Sequence, residues 1–410
     1  MSFKNRLPQF DLPLKFWIVA SIAFINSVSF TIIIPILYPY AREFGLSDFQ
    51  ASLLTTVYAI AQFIATPVLG RLSDVFGRKP LLVASLLGTV LASLLASVAP
   101  AAGWLFFARI LDGLTGGNMS IAQAVIADTT TPADRAKAFG LFDAALRLGF
   151  VTGPAISYFA QTLPTFPGIS PLGMSFLAGG AIATVATVLT IFQLPETLKT
   201  REPFQLSWKL FGLGKILQSV NHPKLGRVFR LTFASGFTFT IFTFAFQPFF
   251  LNVLDGNAKN LAAIFMLVGI VGVFTQIFAV GPITKRFDLA NVLCVAIAVR
   301  GLVFLALPAF PVLPIFLGSI CFLGIANSFP MPLISAILSA NSSPREQGEI
   351  QGINASYLSI SNAFGPAVAG VLVSLGYATP FWVAGVLTLL AAVWAWRLKS
   401  VLNCDRRSPT

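Results

Sequence analysis

Five charged residues fall inside otherwise apolar stretches of this chain: Arg109 and Asp112, Asp143 and Arg147, and Arg300. Spacings of three and four put each pair on one face of a helix. A carboxylate so close to a guanidinium can stay ionised as half of a structural ion pair. It can also take up and release a proton when the arginine is drawn to another partner. Both readings stand for Arg109 and Asp112. Asp143 and Arg147 can neutralise one another or line a polar cavity. Arg300 has no acid near it in the sequence; it can bind an anionic group or snorkel its charge along its stem to a polar surface. Asn26, Gln62, Gln123, Gln247 and Asn327 are uncharged residues that could line a cavity. Phenylalanines crowd the run from Phe233 to Phe250, Phe237 and Phe244 among them. They can serve packing and lipid contact, or a pocket for a lipophilic ligand.

Other chemistry is missing. Cys294, Cys321 and Cys404 are too far apart for a metal spacing or a disulfide framework. His222 is the single histidine and lies in a polar stretch. No Ser/His/Asp arrangement, zinc cluster or phosphate-binding glycine loop is found. The chain is therefore not expected to be an enzyme, and no metal or cofactor is expected.

The elements that must hold these charges follow from composition. Of 410 residues, 56% are hydrophobic and only 10% charged, with mean hydropathy +0.82. Soluble domains carry roughly 25% charged residues. A deficit this large places the chain in lipid, as an all-α protein. Spans of about 20 apolar residues are predicted over 16–38, 49–69, 81–99, 104–127, 138–160, 174–194, 229–251, 262–281, 289–308, 312–338, 351–374 and 380–396. A charge at mid-bilayer costs roughly 2.5–3.5 kcal/mol on insertion scales, so each of the five needs a reason. From Trp104, Arg109 lies roughly 8 Å into the bilayer and Asp112 roughly 12 Å.

Twelve spans put both ends on one side. The loops on that side hold Arg71, Arg78, Lys79, Arg135, Lys137, Lys285, Arg286 and Arg345; the opposite side holds Arg42 and Lys259. The net charge of +12 thus reads as a topological signal, with both termini cytoplasmic, and not as a nucleic-acid site. The basic N-terminal residues Lys4, Arg6 and Lys15 precede an apolar run too long for a cleaved signal. Trp17, Trp104 and Trp382 fall near predicted helix ends, as interface anchors do.

The one long polar stretch, 195–228, adds Lys199, Arg201, Lys209, Lys215, Lys224 and Arg227 to the same side, with Arg230 just beyond it. It divides the chain into a six-helix half at 1–194 and another at 229–410. Around Trp208–Leu217 it can form an amphipathic surface helix or remain a solvated linker. Repeats support the division. Gly281-Pro-Ile-Thr-Lys-Arg follows Gly70-Arg-Leu-Ser-Asp by 211 residues, Gly324 follows Gly113 by 211, and Gly365-Pro366-Ala367 follows Gly153-Pro154-Ala155 by 212. Two pseudo-symmetric halves with a site between them near the midplane form a transporter architecture.

The stretch Gly70, Leu72, Asp74, Gly77, Arg78, Lys79 reads as a tight charged loop between the second and third spans, with Asp74 able to face a helix N-terminus. It resembles the signature loop, motif A, of the major facilitator superfamily. Arg109 with Asp112-Gly113 is similar to the family's motif B, and Gly149…Gly153-Pro154 to motif C of its proton-driven antiporters. Leu194-Pro195-Glu196-Thr197-Leu198 closes the sixth span as in many relatives. The run from Arg109 through Asp128 to Gly153 looks most like the tetracycline-efflux-like branch of drug/proton antiporters. That resemblance implies a pairing of Asp128 with Arg78 that stabilises one conformation, and a functional role for Arg109.

The chain departs from the pattern at several points. Asn26 stands where that branch usually has an acid, Ser29 and Thr31 replace glycines, Val75 replaces a basic residue, and Ser157-Tyr158 replace a glycine pair. With no acid at 26, a proton carrier is expected at Asp112, set by Arg109, ahead of Asp143.

The expected function is secondary transport of a small molecule by alternating access, as proton-coupled efflux of a lipophilic compound. A facilitator or symporter for a polar or anionic solute is the alternative within transport. A non-transporting receptor or scaffold is the alternative outside it. The expected partners are a small-molecule substrate, protons and the bilayer, with no nucleic acid, and the chain is expected to act as a monomer in a bacterial inner membrane.

Overall fold

The computed structural model describes residues 12–131, 134–198, 200–201, 213–343 and 346–404. Lys4, Arg6, Lys199, Lys209, Trp208 and Arg345 lie outside them. Among the described residues, eleven helices are long and apolar enough to cross a bilayer. A twelfth crossing is made by two shorter helices placed end to end.

In chain order the crossings are α1 (Leu14–Thr31), α2 (Asp48–Phe76), α3 (Arg78–Ser97), α4 (Ala102–Thr115 and Asn118–Thr129), α5 (Arg135–Ala160) and α6 (Pro171–Gln193). The second half continues with α7 (Gly226–Asn252), α8 (Ala258–Thr275, extended through Gly281–Arg286), α9 (Leu289–Ala306), α10 (Leu313–Asn327 and Pro330–Ala340), α11 (Gln347–Ser374) and α12 (Thr379–Cys404). No strand occurs among the described residues. Only helices can satisfy every backbone group within a single lipid-embedded segment. Their exposed ends are stapled by side chains. Ser47 and Gln50 form a reciprocal capping box on α2, Asn257 caps α8, and Asp288 caps α9 through the amides of Ala290 and Asn291.

Two expectations are corrected here. The charged stretch from Gly70 is not a loop. α2 runs on to Phe76, and the chain reverses through Gly77 alone, at φ 114°, a value that side-chain-bearing residues rarely adopt. Helical spacing lets Arg71, Asp74 and Arg78 satisfy one another, so their charge does not end the helix. Secondly, α4 and α10 are not continuous. α4 breaks at Gly116-Gly117 and α10 at Ser328-Phe329, ahead of Pro330. Pro330 lacks the N–H that continuity would need. The two breaks lie 212 residues apart, at matching places in the two halves.

The core is divided unevenly. On the side away from the termini, one cluster joins both halves, with Ile36, Leu54 and Phe176 packed in the same body as Phe246, Phe304 and Phe381. Tyr38 receives a hydrogen bond from Asn252 Nδ2 at 3.4 Å and meets the Phe244 ring at 5.8 Å. On the terminal side there are two separate cores, one built on Phe16, Leu86 and Phe142, the other on Phe229, Ile297 and Leu333. The molecule is closed at one end and divided at the other.

Candidate functional site

Motif glycines set the helix spacing. Thr31 on α1 donates to the Gly149 carbonyl of α5 at 2.7 Å, and any side chain on Gly153 would overlap its hydroxyl. In the second half, Thr240 on α7 donates to the Ser361 carbonyl of α11 at 3.1 Å, and a side chain on Gly365 would overlap it likewise. Pro154 sits buried beside Gly153 in α5.

Arg109 and Asp112 face into the first half, 4% and 5% exposed. Nη1 lies 2.7 Å from Oδ2. The guanidinium sits 4.1 Å over the Tyr58 ring of α2, and Thr89 of α3, likewise buried, adjoins the carboxylate. A narrow crevice among α1, α3, α4 and α6 reaches the pair, lined by Ile33, Ser93 and Phe176. The Nε of Arg109 and the Ser93 hydroxyl have no partner there. Tyr58 accepts from Gln62 at 3.0 Å, and Gln62 also donates to the Gly116 carbonyl freed by the α4 break. Asn118, first residue beyond that break, donates to Asn26 at 3.0 Å. Broken helix and polar side chains therefore account for one another: carbonyls and amides released at mid-membrane need partners.

Asp143 and Arg147 are set differently. Their charges are 3.6 Å apart, and the side chains are 63% and 44% exposed. They lie one and two turns along α5 from Val151, the contact point with Gly269 of α8, toward the divided end. They thus occupy the face of α5 that meets the other half.

Arg300 is 2% exposed on α9 and reaches between two other helices. It donates to the Ser235 carbonyl at 3.1 Å and hydroxyl at 2.9 Å on α7, and to Asn327 Oδ1 at 3.2 Å at the α10 break. Of the other cavity expectations, Phe237 is half-buried and stacks on Phe233. Phe244 and Gln247 belong to the closed end, with Gln247 Oε1 unpartnered. Gln123 is exposed.

The terminal-side rim carries a charge network. Arg78 bridges Asp74 at 2.6 Å and Asp128 at 3.1 Å, and Arg71 lies 3.9 Å from Asp74. Among the described residues, Asp74 makes its ion pairs with these two arginines and accepts from no helix N-terminal amide. Glu196 does: it caps α3 through the amides of Arg78 (3.0 Å) and Lys79 (3.2 Å) and also takes those of Thr197 and Leu198. Partial burial opposes its ionisation, but these four N–H groups prevail and hold its carboxyl below the usual carboxylate range. A side chain on Gly77 would strike the Glu196 carboxylate. The segment that follows is pinned to the second half, where Lys215 bridges Glu349 at 2.8 Å and Tyr357 donates to the Ile216 carbonyl.

Asn118, Tyr58, Thr89 and Ser235 escaped sequence reasoning because nothing in their spacing marks them. The half-to-half offset could have found the helix breaks, since Gly116-Gly117 aligns with the residues just before Pro330.

Comparison with known proteins agrees with this geometry. The chain is 30% identical over 387 residues to Multidrug resistance protein 2 of Bacillus subtilis (strain 168), covering 92% of this chain and 94% of that protein. It is 29% identical over 394 residues to the class C tetracycline resistance protein of Escherichia coli, covering 91% and 94%. Among solved structures, an inward-facing, occupied bacterial homologue of the human lysosomal transporter Spinster superposes with TM-score 0.76 at 16% identity, over 96% of this chain and 98% of that one. The human organic anion transporter MFSD10 does so with TM-score 0.70 at 19% identity, over 94% and 100%. The sequence model of the Major Facilitator Superfamily matches at residues 19–279 and again at 228–403. With its broken fourth and tenth helices, its divided core and these matches across nearly its whole length, the chain belongs to the Major Facilitator Superfamily.

Proposed function

We propose that this transporter exports a lipophilic compound in exchange for protons, by alternating access between two six-helix halves, 1–194 and 229–410, joined by 195–228. The observation that carries the proposal is the buried Asp112–Arg109 pair beside the closed end of the molecule. A carboxylate desolvated to this degree stays charged only while its guanidinium stays with it. Opening the closed end would repack the crevice, draw Arg109 away and let Asp112 accept a proton from that side. Closing it again would restore the ion pair and release the proton toward the divided end. The relatives named for multidrug and tetracycline resistance support an exported lipophilic substrate.

Asp143 is the weaker carrier, because its pair with Arg147 is looser and largely exposed, with no enclosed crevice around it. Asp74, Arg78, Lys79 and Asp128 belong to the rim and act on the conformational balance, together with Gly70 and Gly77. Gly149, Gly153 and Pro154 act on it from the α1–α5 contact.

The loop charges support an orientation with both termini on the cytoplasmic side of a bacterial inner membrane; in that orientation the divided end faces inward. An impermeant thiol reagent that labels Cys404 in intact cells, with Cys294 and Cys321 replaced, would refute that orientation. The function is tested in proteoliposomes of the purified protein, measuring movement of a lipophilic dye with and without an imposed pH gradient. Accumulation that follows the gradient supports exchange with protons; equal movement in both conditions reduces the protein to a facilitator.

A further inference from the structure

We propose that Arg300, with Ser235 and Asn327, forms a receptor for a single carboxylate, so that the transported compounds include monocarboxylates. Three observations converge on it. The first is charge. Among the described residues Arg300 forms no ion pair, although it is almost fully buried. Among the described residues, the acids of the second half lie elsewhere: Asp255 in the loop before α8, Asp288 at the cap of α9, and Glu346 and Glu349 at the start of α11. Asp288 is twelve residues from Arg300, about 18 Å along the helix. A buried guanidinium with no counter-charge awaits an anion, and one negative charge makes the site neutral.

The second observation is the hydrogen-bond inventory. A guanidinium has five N–H donors. Here Nη1 and Nη2 serve Asn327 and Ser235, while Nε is buried without a partner. The Nε–H is one prong of the two-pronged edge that a carboxylate takes side-on.

The third is position. From α9, Arg300 reaches Ser235 on α7 and the break of α10 at Asn327. Irregular backbone at membrane depth is tolerated where it is buried in protein or lines a cavity, and paired interruptions in corresponding segments of two halves point to a binding site. Asn327 remains partly exposed at that break, which gives the guanidinium an approach.

The inference rests on the transporter reading only in making the carboxylate part of the cargo; binding is measured apart from transport. The test uses full-length protein in lipid nanodiscs, unfolded thermally with benzoate, benzamide or chloride at constant ionic strength. Benzoate should raise the Tm and uncharged benzamide should not. Arg300→Gln should weaken benzoate binding by roughly tenfold or more, the loss expected for hydrogen bonds to a charged group, and Arg300→Lys should keep part of it. Should Arg300→Gln fold poorly, Asn327→Asp decides the matter. It places a carboxylate beside the guanidinium, so it should raise the Tm without ligand and abolish the response to benzoate.

A response to benzamide equal to that of benzoate, a chloride effect matching benzoate, no benzoate response in the unaltered protein, or a response retained in Arg300→Gln would each overturn the proposal. Benzoate binding without gradient-driven transport would remove the proton exchanger and leave the receptor. Gradient-driven transport that benzoate cannot inhibit would do the reverse.

Discussion

Arg109 and Arg300 are both buried arginines at membrane depth, one in each half, and each adjoins a broken helix. Arg109 has a carboxylate at 2.7 Å on its own helix and an aromatic face beneath it. Arg300 has an amide, a hydroxyl and a carbonyl from other helices and the Phe304 ring of its own helix at 5.9 Å, and no carboxylate. The first arrangement is neutral in itself and can exchange its internal ion pair for a proton. The second carries an unanswered charge and can be completed only from outside. In a protein built of two similar halves, the functions proposed above would separate accordingly: energy coupling in the first half, recognition in the second.

The largest expected effect is on coupling. Asp112→Asn should abolish gradient-driven accumulation while leaving substrate exchange without a gradient, both read in proteoliposomes. Asp143→Asn should spare accumulation; if the two results are interchanged, the carrier is Asp143.

Next comes stability, where the two arginines should differ in sign. Arg109→Met strands a buried carboxylate and should cost about 3–5 kcal/mol, whereas joining it to Asp112→Leu should recover most of that loss. Arg300→Met strands no charge, so its Tm should hold or rise. A fall as large as that of Arg109→Met would mean that the neutral partners of Arg300 are structural and the comparison fails.

Smaller effects are expected at the rim. Asp74→Ala frees Arg78 from its 2.6 Å bridge and should slow transport in a protein that still inserts and expresses normally. An unchanged rate would exclude the rim as a conformational control. The smallest effect is that of Glu196→Gln, the loss of a cap at an exposed helix end, at the low end of roughly 0.5–2 kcal/mol. Because folding depresses this carboxyl, its contribution is present above the ordinary glutamate value of about 4.3 and fades as pH falls through the lowered one. The Tm difference between Glu196→Gln and the unaltered protein should therefore shrink on acidification.

Much of this was legible in the chain. Twelve crossings follow from apolar length, and the two halves follow from repeats such as Gly153-Pro154 with Gly365-Pro366. Asp112 and Arg109 pair because three residues along a helix bring them together. The reversal at Gly77 was misread because Arg71, Asp74 and Arg78 look like a solvated loop until helical spacing is seen to pair them. The partners of Arg300 were illegible for a different reason. Ser235 and Asn327 come from α7 and α10, and only tertiary packing assembles them with α9. Gln247 and Phe244 suggested a cavity by type, but their burial in the closed end depends on how the halves meet.

That meeting has a thermal consequence. The closed end is an apolar body shared by both halves, whereas the opposing rims present Arg71, Asp74, Arg78, Asp128, Lys215 and Glu349. Inverting the molecule would exchange buried hydrocarbon at one end for buried polar surface at the other. Apolar exposure raises heat capacity and polar exposure lowers it. The inverted form should therefore have the higher heat capacity, and cooling should shift the population toward it as the hold of the phenylalanine-rich end weakens.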